Sequence, residues 1–170
     1  MGTYQADPAH SAVMFITNHV GLSTFIARFN DYTTELHLDA DDISKSTLKV
    51  TVKPASVDIN NQAFVDEMMK PEWFDTAKYP EATFVSTKFE QLTPTTGTVT
   101  GNLTMKGVTK PLTLQVKLIG AGMNIYAQAQ AVGIEATGVV KRSDYGIDEY
   151  LPLIPDAVRL HINAEFQQKN

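Results

Sequence analysis

Apolar and polar residues alternate along most of this chain, and the stretch from Asp58 to Phe84 is the one place where the alternation stops. Asn60 or Asn61 can cap a helix at the start of this stretch. The apolar residues that follow recur at the three- and four-residue spacing of one helical face, at Phe64, Val65, Met68 and Met69. Pro71 then ends the pattern. The sequence therefore predicts one α-helix, at about residues 61–70, among strands.

The predicted helix needs an apolar surface to cover, and so do the aromatic residues that follow it, Trp73, Phe74 and Tyr79. In a chain of strands, that surface is the open end of a barrel or one face of a sheet. One interpretation is a plug that seals a packed core, which these residues alone favour. The other is a lid over a cavity, in which flexible methionines and broad aromatic rings adapt to a ligand.

Short amphipathic strands are predicted on both sides of the helix. Leu36 and Leu38 alternate with polar residues, and the same pattern recurs at 99–105, 112–118 and 160–166. Near the N-terminus, two successive strand faces carry mostly apolar residues, at Val13, Phe15, Thr17 and His19 and then at Ser23, Phe25, Ala27 and Phe29. This succession predicts an antiparallel meander, either a closed barrel or a sandwich.

One predicted strand face is built from small residues, namely Ala127, Ala129, Ala131 and Gly133. An eight-stranded barrel is only wide enough for its own side chains to fill it. A wall of alanine would therefore leave room for a ligand, unless large residues opposite, such as Phe15 or Phe29, occupy that space. The residues leave both interpretations open.

The charge balance excludes several classes of partner. Lys and Arg number 14 against 19 Asp and Glu, which gives a net charge of -5, and no basic run stands out. This argues against nucleic acid and anionic membrane surfaces. The chain has no cysteine, which removes disulfides and thiolate chemistry, and no apolar stretch approaches the length of a membrane span.

The sequence favours binding over catalysis. It contains no phosphate-binding loop, no dinucleotide fingerprint and no metal-ligand spacing among its four histidines. Asp7, His10 and Ser11 have the residue types of a hydrolase triad, but they lie too close together on one segment to form one. His19 shares a face with Val13, so it needs a neighbouring carbonyl, a hydroxyl or a ligand atom as a partner. No catalytic or metal-binding residue is predicted.

Several short motifs, in this order along the chain, together resemble the YceI-like, polyisoprenoid-binding family. They are Asp7–Ser11 (DPAHS), His19–Gly21 (HVG), Ala55–Asp58 (ASVD), Trp73–Asp75 (WFD), Lys78–Pro80 (KYP), Gly101–Thr104 (GNLT), Gly107–Pro111 (GVTKP) and Arg142–Ile147 (RSDYGI). Each motif is weak alone, but their order and separations make the resemblance strong. It extends over essentially the whole chain.

The resemblance implies a single domain, residues 1–170, with an eight-stranded, lipocalin-like antiparallel barrel closed by the helix. Its interior would hold a long-chain isoprenoid lipid, either an isoprenoid quinone such as ubiquinone or a polyprenyl phosphate. The protein would act as a carrier, buffer or store, without a cofactor, nucleic-acid partner or stable membrane insertion, and a homodimer is left open. Export to the periplasm or beyond is implied, with the signal and any neighbouring domain outside these residues. The cytoplasm is the alternative.

The resemblance also favours the lid and the cavity over the plug. The candidate ligand-binding residues are then the inward-facing residues of the strands and of the lid: Val13, Phe15, His19, Phe25, Phe29, Phe64, Met68, Met69, Trp73, Phe74, Phe84, Leu103, Met105, Ala127, Ala129 and Ala131. The apolar loop from Glu149 to Pro155 is predicted either to rim the barrel mouth or to pack on it.

Two positions depart from the family pattern. The helix carries Val65–Met69 (VDEMM) where the family usually has Arg-Asp-x-His-Leu, and Lys106 stands where a histidine often precedes Gly-Val-Thr. The family's contacts to a lipid head group therefore do not carry over at these positions.

Two other functions stay open in the sequence. One is an enzyme acting on an isoprenoid lipid, with His19 or Asp144 as acid or base. The other is an interaction module from a larger exported protein. We interpret Arg142 and Asp144 as a structural pair beside the Gly146 turn.

Overall fold

The computed structural model describes residues 1–169, which form one antiparallel sheet of 11 strands, one α-helix and three short 3-10 helices. The strands are β1 (Gly2–Ala6), β2 (Ala12–His19), β3 (Ser23–Phe29), β4 (Tyr32–Leu38), β5 (Thr47–Val52), β6 (Val57–Asp58), β7 (Ala82–Thr93), β8 (Thr96–Met105), β9 (Val108–Asn124), β10 (Ala129–Lys141) and β11 (Ala157–Gln168). The helix is α1 (Gln62–Met68).

Eight of these strands close into a ring. Their order is β1-β4-β5-β7-β8-β9-β10-β11, and pairing of β11 with β1 completes the circle. The alternation seen in the sequence predicts correctly which side chains are buried. Leu36, Leu112 and Leu114 are buried, whereas their chain neighbours Glu35 and Thr113 are exposed. The predicted barrel is confirmed, and the sandwich alternative is wrong.

The remaining strands, β2, β3 and β6, continue the sheet outside the ring. One edge of β11 is divided between two partners, because Phe166, Gln167 and Gln168 pair with β1 while residues 159–163 pair with β2. In the described chain, hydrogen bonds therefore encircle the barrel only in the half where β1 lies. In the other half, the β2–β3–β6 extension forms part of the wall.

The two ends of the barrel differ. One end carries α1, the Lys106–Gly107 turn and the Gly146 turn, which Lys106 links by donating from Nζ to the carbonyl oxygens of Pro71 (2.8 Å) and Gly146 (3.2 Å). We name it the helix end. The opposite end carries the turn between β7 and β8 and the β9–β10 hairpin, and we name it the hairpin end.

The predicted helix is confirmed with shorter bounds. Asn61, rather than Asn60, is the cap, and its side-chain oxygen accepts a hydrogen bond from the backbone amide of Phe64 at 3.2 Å. The helix ends at Met68, and turns continue the chain to Tyr79. We call residues 62–79 the lid segment.

The predicted alanine wall is not an inward face of the barrel, although Ala131 borders the cavity near the barrel end. Ala127 lies in the turn between β9 and β10, and the pairing of Val132 with the buried Phe166 places the even-numbered residues of β10 inside. Ala129 and Gly133 consequently face outward. The sequence suggested the opposite phase because Gln130, which points inward near the barrel end, is polar.

The loop after β10 is held by Arg142, which is 5% exposed. Its guanidinium donates four hydrogen bonds to backbone carbonyl oxygens, those of Pro155, Ile147, Glu149 and Ile154, at 2.8–3.0 Å. The interpretation of Arg142 and Asp144 as a pair is therefore wrong. Asp156 bonds Ser143 instead, through the backbone amide and the hydroxyl, both at 2.8 Å.

Candidate functional site

A cavity of about 1110 Å³ runs through the barrel from the helix end to the hairpin end. The core residues that surround it are buried, yet no large side chain in the described part of the chain is fully buried. The accessible area of 9613 Å² also exceeds the roughly 8300 Å² expected for a monomer of 18.7 kDa. Both observations indicate that the inner faces of the strands border open space rather than one another.

The middle of the cavity is lined almost entirely by aliphatic and aromatic side chains from the ring. Among them are Leu36, Val50, Phe84, Leu103, Leu112, Leu114, Val116, Ala136, Leu160 and Ile162. Such a surface offers no hydrogen bonds, so it suits a long hydrocarbon chain.

Nearly all of the predicted site residues line this cavity. The structure brings together Val13, Phe15, His19, Phe25, Phe29, Phe64, Met68, Trp73, Phe74, Phe84, Leu103, Met105 and Ala131. Three others lie outside the lining. Met69 packs against the cluster beneath the lid, and Ala127 and Ala129 lie at the β9–β10 turn.

His19 stands in a different environment from the one predicted. It ends β2 and is exposed at the helix end, although it contributes to the cavity lining. The sequence placed it in an apolar interior because strand alternation continues the face of Val13 and Phe15. The barrel wall ends before His19, so its imidazole reaches water.

The loop at 149–155 was predicted either to rim the barrel mouth or to pack on it. Tyr150, Leu153 and Ile154 border the cavity, so the loop forms its rim, although none of the three was among the predicted site residues. Inward residues of β4 and β5 also line it, although alternation alone cannot separate a cavity wall from a packed core. The apolar character of the loop was the one signal available.

The lid rests on an aromatic cluster made by Phe15, Phe25, Phe29 and Phe74. Phe74 meets Phe15 and Phe29 edge to face, with ring centroids 6.5 and 5.8 Å apart. Phe15 also contacts Phe29 (5.6 Å) and Phe25 (6.2 Å). The cluster joins the lid to the β2–β3–β6 extension, so these two parts form one packed unit.

Three polar atoms in the cavity lining are buried without a close hydrogen-bond partner in the described chain, although Ser11 lies near Tyr32 and Glu67 lies near Trp73: Thr17 Oγ1, Tyr32 OH and Trp73 Nε1. Burial raises the pKa of Tyr32, so its hydroxyl keeps its proton at neutral pH. Trp73 stacks near Tyr150 (6.3 Å) and under the Arg142 guanidinium (5.8 Å). Each of the three atoms can donate one hydrogen bond to a carbonyl oxygen.

The charges along the cavity are mostly negative. Glu67 lies at the helix end and Glu90 at the hairpin end, and a hydrogen bond from Lys70 lowers the pKa of Glu67, which keeps it ionised. Among the lining residues that the structure describes, Arg142 is the one permanent cation, and its donors are occupied by backbone carbonyls.

A second polar cluster lies on the barrel wall, apart from the cavity mouths. Potential ligand atoms of Asp7, His10 and Glu165 fall within 4.8 Å of one another, although the sequence gave no metal-ligand spacing. His10 Nδ1 lies 2.7 Å from Asp7 Oδ2, and Gln167 and Asn124 donate to the carboxylates. These hydrogen bonds account for the arrangement.

We predict that Asp7→Asn lowers the pKa of His10. The hydrogen bond that the His10 imidazole donates to the Asp7 carboxylate raises the pKa of His10 above 6.5 and lowers that of Asp7 below 3.8. The pair of Asp7 and His10 therefore stabilises the fold most at a pH between 3.8 and 6.5, the ordinary pKa values of the two groups. This stabilisation falls as pH rises through the His10 pKa, or as pH drops through the Asp7 pKa. NMR titration of the imidazole in both proteins checks this, with His37 as the internal control, and an unchanged His10 midpoint would contradict it.

The ring of eight strands and its apolar interior define a closed antiparallel barrel around a cavity, with one helix at its end. A model described as the YceI-like domain matches residues 4–166, and the chain belongs to this family. The resemblance drawn from the sequence motifs is thereby confirmed.

Known proteins of similar sequence and structure agree. Protein YceI of Salmonella arizonae is 35% identical over 161 residues, which covers 94% of this chain and 83% of that protein. BcnA of Burkholderia cenocepacia superimposes with a TM-score of 0.85 at 22% identity, covering 94% and 98% of the two chains. A polyisoprenoid binding domain from Saccharophagus degradans gives 0.71 at 16%, covering 99% and 100%. At these identities, the two structural matches show a shared fold.

The helix content is small. α1 has 7 residues, far fewer than the roughly 20 that a helix needs to cross a bilayer. No helix in the described chain is long and apolar enough to do so.

Proposed function

We propose that the protein binds a long-chain isoprenoid lipid inside the barrel and acts as its carrier or buffer. The observation that carries this proposal is the continuous apolar cavity of about 1110 Å³, which extends from one barrel end to the other. A cavity of this length and chemistry fits a hydrocarbon tail better than a compact polar substrate. The polyisoprenoid binding domain of Saccharophagus degradans, which shares the fold, supports the same class of ligand.

We further propose an uncharged, carbonyl-bearing head group, as in an isoprenoid quinone such as ubiquinone. The unpartnered donors of Thr17, Tyr32 and Trp73 can satisfy carbonyl oxygens. A polyprenyl phosphate would bring negative charge towards Glu67, whose partner Lys70 is already engaged, and the described lining offers no cation other than Arg142.

The free energy of binding limits the role. At about 0.8 kcal/mol for each buried methylene, a tail of roughly 40 carbons would sum to about 30 kcal/mol, above the observed ceiling near 20. The ordinary environment of such a tail is a bilayer, which is as apolar as the cavity. Selectivity therefore comes from shape, tail length and a few polar contacts, which suits a carrier or buffer. Periplasmic location and homodimerisation stay predictions.

Native mass spectrometry of the purified protein tests the proposal directly. A stoichiometric adduct, identified by organic extraction as an isoprenoid lipid, is the expected result. A ligand-free mass, together with an unchanged melting temperature on adding isoprenoid quinones or polyprenyl phosphates, would overturn it.

We predict that an isoprenoid quinone binds at least about tenfold more tightly than a polyprenyl phosphate of equal tail length, a difference of roughly 1.4 kcal/mol. Intrinsic Trp73 fluorescence in dilute detergent measures both affinities. Glu67→Gln should narrow the difference by improving phosphate binding, because it removes a like charge. Asp66→Asn on the same helix is the matched control, since Asp66 is exposed and lies outside the lining. Equal affinities in the unmodified protein would contradict a neutral head group.

A further inference from the structure

At the helix end, the apolar cavity wall continues onto the outer surface. Four residues line the cavity and are also exposed, namely Val20 (40%), Phe64 (48%), Tyr150 (57%) and Leu153 (66%). They come from the β2–β3 turn, from α1 and from the loop after β10, which surround one opening. Leu22 (84%) and Leu151 (36%) extend this surface without lining the cavity. We call these six residues the apolar rim.

The opening at the hairpin end has a different chemistry. The exposed lining residues there are mostly polar, including Glu90, Gln91, Thr93, Thr95 and Gln130. An apolar molecule that enters at the hairpin end must pass this polar ring, whereas at the helix end the opening is bordered mostly by apolar side chains, with His19 and Glu67 beside them. Entry of a lipid tail through the helix end therefore costs less free energy than entry through the hairpin end.

We infer that the apolar rim docks reversibly on the surface of a zwitterionic lipid bilayer, and that the lipid enters the cavity through it. This inference rests on the proposed function, because a long isoprenoid chain resides in a bilayer and must leave it without crossing water. Tyr150 and Trp73 stack beside the opening, and such amphipathic rings favour the membrane interface.

The charges at the rim select the type of bilayer. Glu67 near the rim is paired with Lys70, Lys106 lies at the same end, and Asp148 and Glu149 flank Tyr150 in sequence, while the whole chain carries a net charge of -5. An anionic lipid surface would therefore repel the protein, while a zwitterionic surface would not. A rim of six side chains, to which the short helix α1 contributes Phe64 alone, gives weak and reversible association.

Other apolar residues are exposed at the tip of the β9–β10 hairpin, including Ile125 (73%) and Tyr126 (93%). These two residues do not line the cavity, so docking there would leave the lipid outside the apolar opening. They supply a matched control for the rim.

The test combines vesicle flotation with lipid transfer. The unmodified protein should float with phosphatidylcholine vesicles, and adding phosphatidylglycerol should weaken the association. Leu22→Asp and the double variant Leu22→Asp/Leu151→Asp should lower the vesicle-bound fraction at least about fivefold. They should slow uptake of ubiquinone from vesicles to the same extent, yet bind ubiquinone supplied in detergent as the unmodified protein does. Leu22 is so exposed that its single variant is expected to fold.

Ile125→Asp should leave both flotation and uptake unchanged. The inference is overturned if the rim variants float and take up lipid normally, or if Ile125→Asp impairs both as strongly. It is also overturned if the unmodified protein fails to float with phosphatidylcholine vesicles. Failure to bind ubiquinone in detergent would instead refute the proposed quinone head group, and flotation would still report on docking by itself.

Discussion

Replacing Arg142 with methionine is expected to lower the free energy of unfolding by about 3–5 kcal/mol. Methionine keeps the apolar stem but removes the guanidinium, which is 5% exposed and donates to four carbonyl oxygens. Those carbonyls would lose their partners in a place where water reaches them poorly. For a chain of this length, the loss corresponds to a fall of roughly 10 °C in melting temperature.

Two variants separate this effect from a general loss of charge. Arg159→Met removes an exposed arginine of β11 and should change the free energy of unfolding by less than about 0.5 kcal/mol. Arg142→Lys keeps the positive charge without the planar fork, so it should be nearly as destabilising as Arg142→Met. Denaturation followed by circular dichroism gives all three values. Equal stability of Arg142→Met and the unmodified protein would show that the loop does not depend on these bonds.

Ile162→Trp is expected to abolish tight binding of long isoprenoid tails while leaving short ones bound. Ile162 lies near the middle of β11, half-buried, with its side chain in the cavity lining and opposite Ala136 and Val13 on the neighbouring strands. An indole there narrows the passage. Excluding about four methylenes beyond the block costs roughly 3 kcal/mol, which is about a hundredfold in affinity.

A series of quinones that differ only in tail length measures the effect of Ile162→Trp. Affinity should follow the unmodified protein for short tails and level off beyond the length that reaches position 162. Arg159→Trp adds the same ring to the outer face of the same strand and should bind every length normally. If Ile162→Trp binds the longest tail as tightly as the unmodified protein, the tail does not pass through the barrel.

Local features of the fold followed from the sequence. Asn61 and the spacing of Phe64 and Met68 predicted the helix, because capping and helical periodicity depend on residues within two turns. The alternation at Leu36 or Leu112 predicted inward faces for the same reason. Thirteen of the sixteen predicted site residues therefore line the cavity, most of them as inward-facing residues of predicted strands.

Features set by distant pairing did not follow. The phase of β10 depends on Val132 meeting Phe166, and no residue near Ala129 records that register. Arg142 acts on carbonyl oxygens that only the closed loop brings around it. Alternation also predicts which side chains face inward, but it does not predict the distance between opposite walls of the barrel. A hollow barrel and a packed barrel therefore show the same sequence pattern.

The two sets of pairings along one edge of β11 have separate structural roles. The pairing of Phe166, Gln167 and Gln168 with β1 fixes the circumference, while the pairing of residues 159–163 with β2 attaches the lid and its aromatic cluster to one side. Displacing the lid therefore leaves every hydrogen bond that closes the ring in place. The work of opening is set by the contacts of the lid alone, so the mouth can loosen or tighten during evolution without altering the stability of the ring.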